Sequence, residues 1–164
     1  MNELTANIRN ATEQDVPLIL SFLHKKAIFD GCPHAVTATP ERIARALFGP
    51  APAAGVLLAE VDGVARGFLS YFSTYSSFLA RPGLWMDDLY VDEEVRSHGI
   101  GDQLLRHLAR MARKQECGRI EWTVNSENRR GIQFYQRHGT KFLEYARVCR
   151  LDPAAIARLA EARE

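Results

Sequence analysis

The feature that most constrains this chain is a strand-turn-helix pattern near its middle. Residues 84–92, LWMDDLYVD, form an apolar run interrupted by two adjacent acids. Residues 95–105, VRSHGIGDQLL, follow and open an amphipathic segment that continues to about residue 117. Ile100, Leu104, Leu105, Leu108, Met111 and Ala112 recur there on one helical face. Two glycines, Gly99 and Gly101, stand where that helix begins. Glycine is unfavourable inside a helix by about 1 kcal/mol relative to alanine, so a pair in a first turn marks a place where backbone approaches something closely. Such a helix start offers unshared amide N–H groups and the positive end of the helix dipole, which suits an anionic phosphate.

The flanking pattern sets the fold class. Residues 6–10 predict a short strand. Thr12 caps a helix over about residues 13–29, with Val16, Ile19, Leu20, Leu23 and Ala27 at helical spacing and Pro17 early enough to be accommodated. Thr39 and Pro40 open a second helix, and Gly49 ends it. Two strands, residues 56–61 and 64–73, are joined by Asp62-Gly63, a strong hairpin signal. After a loop over residues 76–83 come the strand at 84–91 and the glycine-opened helix. Residues 119–124 predict a fifth strand, residues 128–138 a helix stopped by Gly139, and KFLEYA and RVCRLD two last strands; Pro153 starts a terminal helix. The expectation is a single domain over residues 1–164. Its class is α/β (α+β), with a mixed, mostly antiparallel central sheet of about seven strands, helices on both faces, and a parallel crossover within residues 85–124.

Composition removes several function classes. A net charge of +1 gives no extended footprint for nucleic acid. Cys32, Cys117 and Cys149 are an odd number without a C-x-x-C pair, which argues against a disulfide framework or a zinc site and for a reducing, cytoplasmic compartment. The five histidines show no ligand spacing, so no metal is expected. The N-terminal stretch lacks the apolar core of a signal peptide, and no apolar run is long enough to span a bilayer.

The phosphate motif narrows the ligand. The P-loop G-x-x-x-x-G-K-[ST] is absent, and G-x-G-x-x-G fails because Leu104 stands at its third glycine. What remains is R-x-x-G-x-G, Arg96 to Gly101, followed downstream by N-x-x-x-x-x-F-Y-x-x-x-G at Asn128, Phe134, Tyr135 and Gly139. With these residues the chain resembles the GCN5-related N-acetyltransferases, over residues 8 to about 152. The resemblance is nearest to the diamine and polyamine N-acetyltransferases, including the thialysine branch, through DDLYV, R-x-x-G-I-G and the Asn-to-Tyr pattern. It implies the acyl-CoA acyltransferase fold of that superfamily and acetyl-CoA as co-substrate. Backbone at Arg96, Ser97, His98, Gly99, Ile100, Gly101 and Asp102 would cradle the pyrophosphate. The pantetheine amides would pair with Leu89, Tyr90 and Val91, where a bulge in the family splays the strand from its parallel neighbour. Asn128, Arg130 and Gly131 would complete cofactor binding. It also implies Tyr135 as the general acid at the thiolate and a homodimer built through the C-terminal strands. Each motif has a structural alternative: glycines for close helix-strand packing, Asn128 as a helix cap, Tyr135 as a core aromatic.

Transfer to an amine requires loss of a proton from an ammonium whose pKa is near that of lysine, about 10.4. Asp87 is the expected base, with Asp88 on the opposite strand face. No nucleophile elbow exists, so direct attack in a ternary complex is expected. Acids and rings suit a small cationic amine: Phe29, Asp30, Trp85, Asp87, Glu121 and Trp122 are the candidate substrate residues, with Glu144 further along. The chain is about four residues shorter than the polyamine enzymes after Gly139, which leaves open a diamine or polyamine, a lysine-like amine, an aminoglycoside or a protein N-terminus or lysine. The alternatives in class are a CoA-binding regulatory module without turnover and a basic partner-binding protein.

Overall fold

The computed structural model describes residues 3–161; Met1, Asn2 and residues 162–164, where the domain and leader expectations also extend, lie outside the described residues. The chain forms two compact units, Met1–Thr123 and Val124–Glu164.

The first unit is built on a five-stranded sheet in the order β1 to β5: β1 (Asn7–Asn10), β2 (Gly55–Val61), β3 (Val64–Ser76), β4 (Arg81–Val91) and β5 (Ile120–Glu121). The first three pairings are antiparallel and β4 runs parallel to β5. At the β2–β3 turn, Asp62 and Gly63 both take positive φ, 51° and 76°. A two-residue type I′ hairpin requires this of its central residues.

Helices cover both faces. On one, Val56, Leu58 and Phe68 pack with Val16, Ile19 and Phe22 of α1 (Val16–Phe29) and Ile43 of α2 (Pro40–Phe48). The Phe22 and Phe68 rings stack at 5.3 Å. On the other face lies α3 (Ile100–Lys114), which buries Ile100, Leu104, Leu105, Leu108 and Ala112. A Cβ on Gly67 would stand 3.5 Å from Leu104, so the sheet and α3 meet closely there. Each fully buried leucine contributes about 1.5–3 kcal/mol, and these layers fix the β4–α3 junction between them. At the sheet's far edge Arg9 clasps Asp15 at 2.7 Å and Glu60 at 2.7 Å, tying β1 to the entry of α1 and to β2. The Arg9 hydrogen bonds hold the Asp15 carboxyl far below the usual carboxylate range.

The second unit contains α4 (Arg129–Arg137) and α5 (Pro153–Glu161). The expected seven strands are five among the described residues. KFLEYA and RVCRLD form no ladder: residues 141–152 are not strand, and Leu143, Tyr145, Val148 and Leu151 are exposed. Alternating apolar residues suffice for a strand only where a sheet edge accepts them, and an isolated hairpin is marginal in water. The expected fifth strand likewise shortens to Ile120–Glu121, which pairs with β4 at Leu84 and Trp85. Conversely, the expected loop at 76–83 is a tight turn: β3 and β4 pair out to Ser76 and Arg81.

Candidate active site

β4 carries a β-bulge just beyond its last rung with β5. On the β3 side Tyr71 pairs with Met86 and Ser70 with Asp88, leaving Asp87 as one extra residue in β4. On the other side the parallel ladder ends at Trp85 opposite Glu121. From Asp87 to Val91 that edge of β4 therefore has no strand partner among the described residues. Leu89, Tyr90 and Val91 pair with Leu69, Phe68 and Gly67 on the β3 side only. An extended ligand bearing amides is able to ladder onto such an edge.

Immediately beyond, the chain turns into α3. Ser97 takes φ 68° and Gly99 φ 84°, the left-handed conformation that favours glycine. The first intrahelical bond is Gln103 N–H to Gly99 O, at 3.0 Å, so the amides of Ile100 and Gly101 lie ahead of the helical ladder. The Arg96 side chain points back: its Nε donates to the Val91 carbonyl at 2.8 Å. Its guanidinium also lies 4.7 Å from the Phe29 ring and 5.2 Å from the Tyr90 ring. It staples the turn to β4 and to the end of α1. The His98 ring is held by the Arg96 carbonyl at 2.9 Å, and Asp102 pairs with Arg106 one turn along. The side chains of Arg96, His98 and Asp102 at this turn are thus engaged by the protein itself.

The two adjacent acids differ. Asp87, at the bulge, is exposed. Asp88 is half-buried on the α1 face; its amide donates to Ser70 Oγ at 3.0 Å and its Oδ2 accepts from that hydroxyl at 3.1 Å. Desolvation raises the Asp88 carboxyl above its ordinary value, opposed by Lys26 and reinforced by Asp87. Lys26 stands 3.8 Å from Asp88 and is also paired with Asp30 at the end of α1. The structure so brings Phe29, Asp30, Tyr90, Arg96 and Asp88 to one corner of the sheet. Trp85 stacks on Phe72 at 6.2 Å, Glu121 is ion-paired with Arg119 at 2.7 Å, and Trp122 is half-buried just past β5. Sequence reading missed Lys26 and Ser70. Only the i,i+4 spacing of Lys26 to Asp30 was available as a signal; the link to Asp88 arises from sheet register.

In the second unit Asn128 caps α4, its Oδ1 accepting from Gly131 N–H at 2.9 Å. A Cβ on Gly131 would lie 2.6 Å from the Asn128 amide nitrogen, so this cap requires a glycine. Tyr135 is buried on α4, its ring 5.1 Å from that of Phe134. Arg130 is exposed in the first turn, Gly139 takes φ 76°, and Glu144 is exposed beyond it.

A separate cavity of about 450 Å³ lies at the other end of α3, with Arg81, Arg113, Glu116, Cys117 and Arg119 in its lining; it is about 20 Å along the helix from the glycine turn. Cys117 is half-buried. Among the described residues no group of three or more His, Cys, Asp or Glu side chains is placed to hold a metal ion, and no helix is long and apolar enough to cross a membrane.

Comparison with known proteins agrees with this geometry. The sequence pattern of the Acetyltransferase (GNAT) family matches residues 25–140. The L-ornithine N5-acetyltransferase of Arabidopsis thaliana is 29% identical, covering 94% of this chain and 88% of its own. The thialysine N-epsilon-acetyltransferase of Mus musculus is 26% identical, covering 85% and 86%. An integron cassette protein from the mobile metagenome of V. cholerae shares the fold with a TM-score of 0.77 at 23% identity, covering 97% of this chain and 99% of that one. The chain belongs to the GNAT acetyltransferase family and is an acyltransferase of the N-acetyltransferase class. Enzymes of this family use acetyl-CoA as co-substrate, and the open β4 edge running into a glycine turn fits a carrier that has amides at one end and a diphosphate at the other.

Proposed function

We propose that the chain moves the acetyl group of acetyl-CoA to a primary amine of a small molecule, by direct attack in a ternary complex. The observation that carries this reading is the bulge at Asp87, which frees the β4 edge next to the glycine turn. When bound there, acetyl-CoA supplies a thioester whose acyl carbon is open to an amine. The chain's residues do the rest. The amides of Ile100 and Gly101 hold the diphosphate, and Leu89 to Val91 align the pantetheine arm. Asp87, exposed at the bulge, accepts the ammonium proton directly or through water. Asn128, Arg130 and Gly131 support the carrier from α4, and Tyr135 returns a proton to the departing sulfur. Phe29, Asp30, Trp85, Glu121 and Trp122 are assigned to the acceptor amine. General acid-base help of this kind is worth about 10²–10⁴-fold.

The family pattern spans both compact units, which supports one functional domain over residues 1–164. The named activities of the similar plant and mouse enzymes, on ornithine and thialysine, favour a diamine or lysine-like acceptor. The exposed apolar side chains at 143–151 favour a homodimer, and three free thiols favour a cytoplasmic setting.

Thiol release from acetyl-CoA, followed over a panel of diamines, polyamines, lysine-like amino acids, aminoglycosides and a peptide with a free N-terminus, tests the reading. Amine-dependent thiol release with small amines is expected. Coenzyme A binding without release for any amine would instead favour a regulatory module, and turnover of the peptide alone would favour a protein acetyltransferase.

A further inference from the structure

We propose that Gln103 is a positioning residue for the diphosphate seat: it straps the N-terminal segment, residues 3–6, to the glycine turn, and the strap fixes the direction of the Gly99 amide. The inference rests on the reading above, that this turn receives the diphosphate of the carrier.

Leu4 and Ala6 stand 99 and 97 positions before Gln103 in the chain, yet the fold laces them to it. The Gln103 side chain uses both ends of its amide. Oε1 accepts from the Ala6 N–H at 2.9 Å, and Nε2 donates to the Leu4 carbonyl at 2.7 Å. The same Nε2 lies 3.4 Å from the Gly99 carbonyl, which also accepts from the Gln103 main-chain N–H at 3.0 Å. The segment then closes on the turn itself, where the Leu4 N–H donates to the His98 carbonyl at 3.0 Å.

That last bond has a directional consequence. His98 C=O and Gly99 N–H belong to one trans peptide unit, so they point opposite ways. With the carbonyl turned toward Leu4, the Gly99 N–H is turned away from the strap. It meets no hydrogen-bond partner among the described residues, and it precedes the Ile100 and Gly101 amides directly, as a third donor for the seat. The turn needs such holding. Ser97 takes φ 68° without being glycine, a conformation that persists only where its surroundings over-determine it. The one charge in the segment, Glu3, works the other way. Its Cγ and Cδ would lie 3.7 Å from a Cβ on Gly99, and a carboxylate there opposes an anion. What the strap supplies is therefore main-chain order rather than charge.

Coenzyme A and pantetheine make an informative pair, since pantetheine keeps the amide-bearing arm and lacks the nucleotide with its diphosphate. Both are titrated calorimetrically. Gln103→Met, which keeps the side-chain length and removes both strap bonds, is expected to weaken coenzyme A binding about tenfold and to leave pantetheine binding unchanged. Leu4→Pro, which removes the Leu4 N–H, should do the same. Glu3→Gln should bind coenzyme A at least as tightly as the wild type; weaker binding would contradict a main-chain role. A folded Gln103→Met with wild-type affinity for coenzyme A would overturn the inference alone, as would an equal loss for coenzyme A and pantetheine. A wild type that does not bind coenzyme A would overturn both the inference and the reading beneath it. Should Gln103→Met not fold, Leu4→Pro read in the same way decides the matter.

Discussion

The side chain of Asp88 loses water where β4 packs against α1, and this is what lifts its carboxyl above the ordinary range. The folded state accordingly binds a proton more readily than the unfolded chain. Its contribution to stability is full below the usual carboxylate pKa and is lost as pH rises through the raised value. Asp88→Asn should therefore raise the melting temperature at pH 7, and the gain should shrink as pH is lowered toward about 4; calorimetric melts at the two pH values measure it. Tyr135 is a second residue whose role divides two readings, since a buried ring beside Phe134 serves packing whether or not its hydroxyl moves a proton. Tyr135→Phe keeps the ring. We expect turnover to fall about a hundredfold with little change in acetyl-CoA affinity, measured by steady-state kinetics beside a binding titration. Equal loss of both would remove the acid role.

Among the elements, those whose partners lie close in sequence were the most legible. Asp62-Gly63, the Thr39–Pro40 helix start and the amphipathic stripe of α3 each carry local signals, and all three formed as expected. The family resemblance anticipated the bulge, but no sequence pattern marks Asp87 rather than Asp88 as the extra residue; only the rungs of β3 against β4 do so. The two C-terminal strands were misread because alternation records amphipathy and not the presence of an edge to receive it. Element physics also isolates the phosphate seat. Gly101 lies within α3, where valine and glycine differ by only a few tenths of a kcal/mol, about 0.5 at most, in helix propensity. Gly101→Val should leave the melting temperature nearly unchanged while it weakens coenzyme A binding severely, because a branched side chain in the first turn would crowd the seat proposed for the diphosphate. Calorimetric titration showing undiminished affinity would contradict this.

At the scale of the molecule, one sequence family spans two compact units that carry the proposed roles separately: the carrier seat and acids in Met1–Thr123, and Asn128 and Tyr135 in Val124–Glu164. Sequence spacing alone linked them, through the family's motif. The exposed Leu143, Tyr145, Val148 and Leu151 belong to this scale as well, since a second copy would give that segment something to pack against. Sedimentation velocity should find a species of twice 18.5 kDa, and Tyr145→Asp should shift it toward the single-chain mass; a wild type that stays monomeric would refute the dimer. The most direct test of the account is a crystal structure of the protein with acetyl-CoA. The diphosphate oxygens should lie about 3 Å from the amide nitrogens of Ile100 and Gly101, with the pantetheine amides paired along Leu89 to Val91. A carrier bound elsewhere, with the glycine turn closed over by the chain's own side chains, would contradict it.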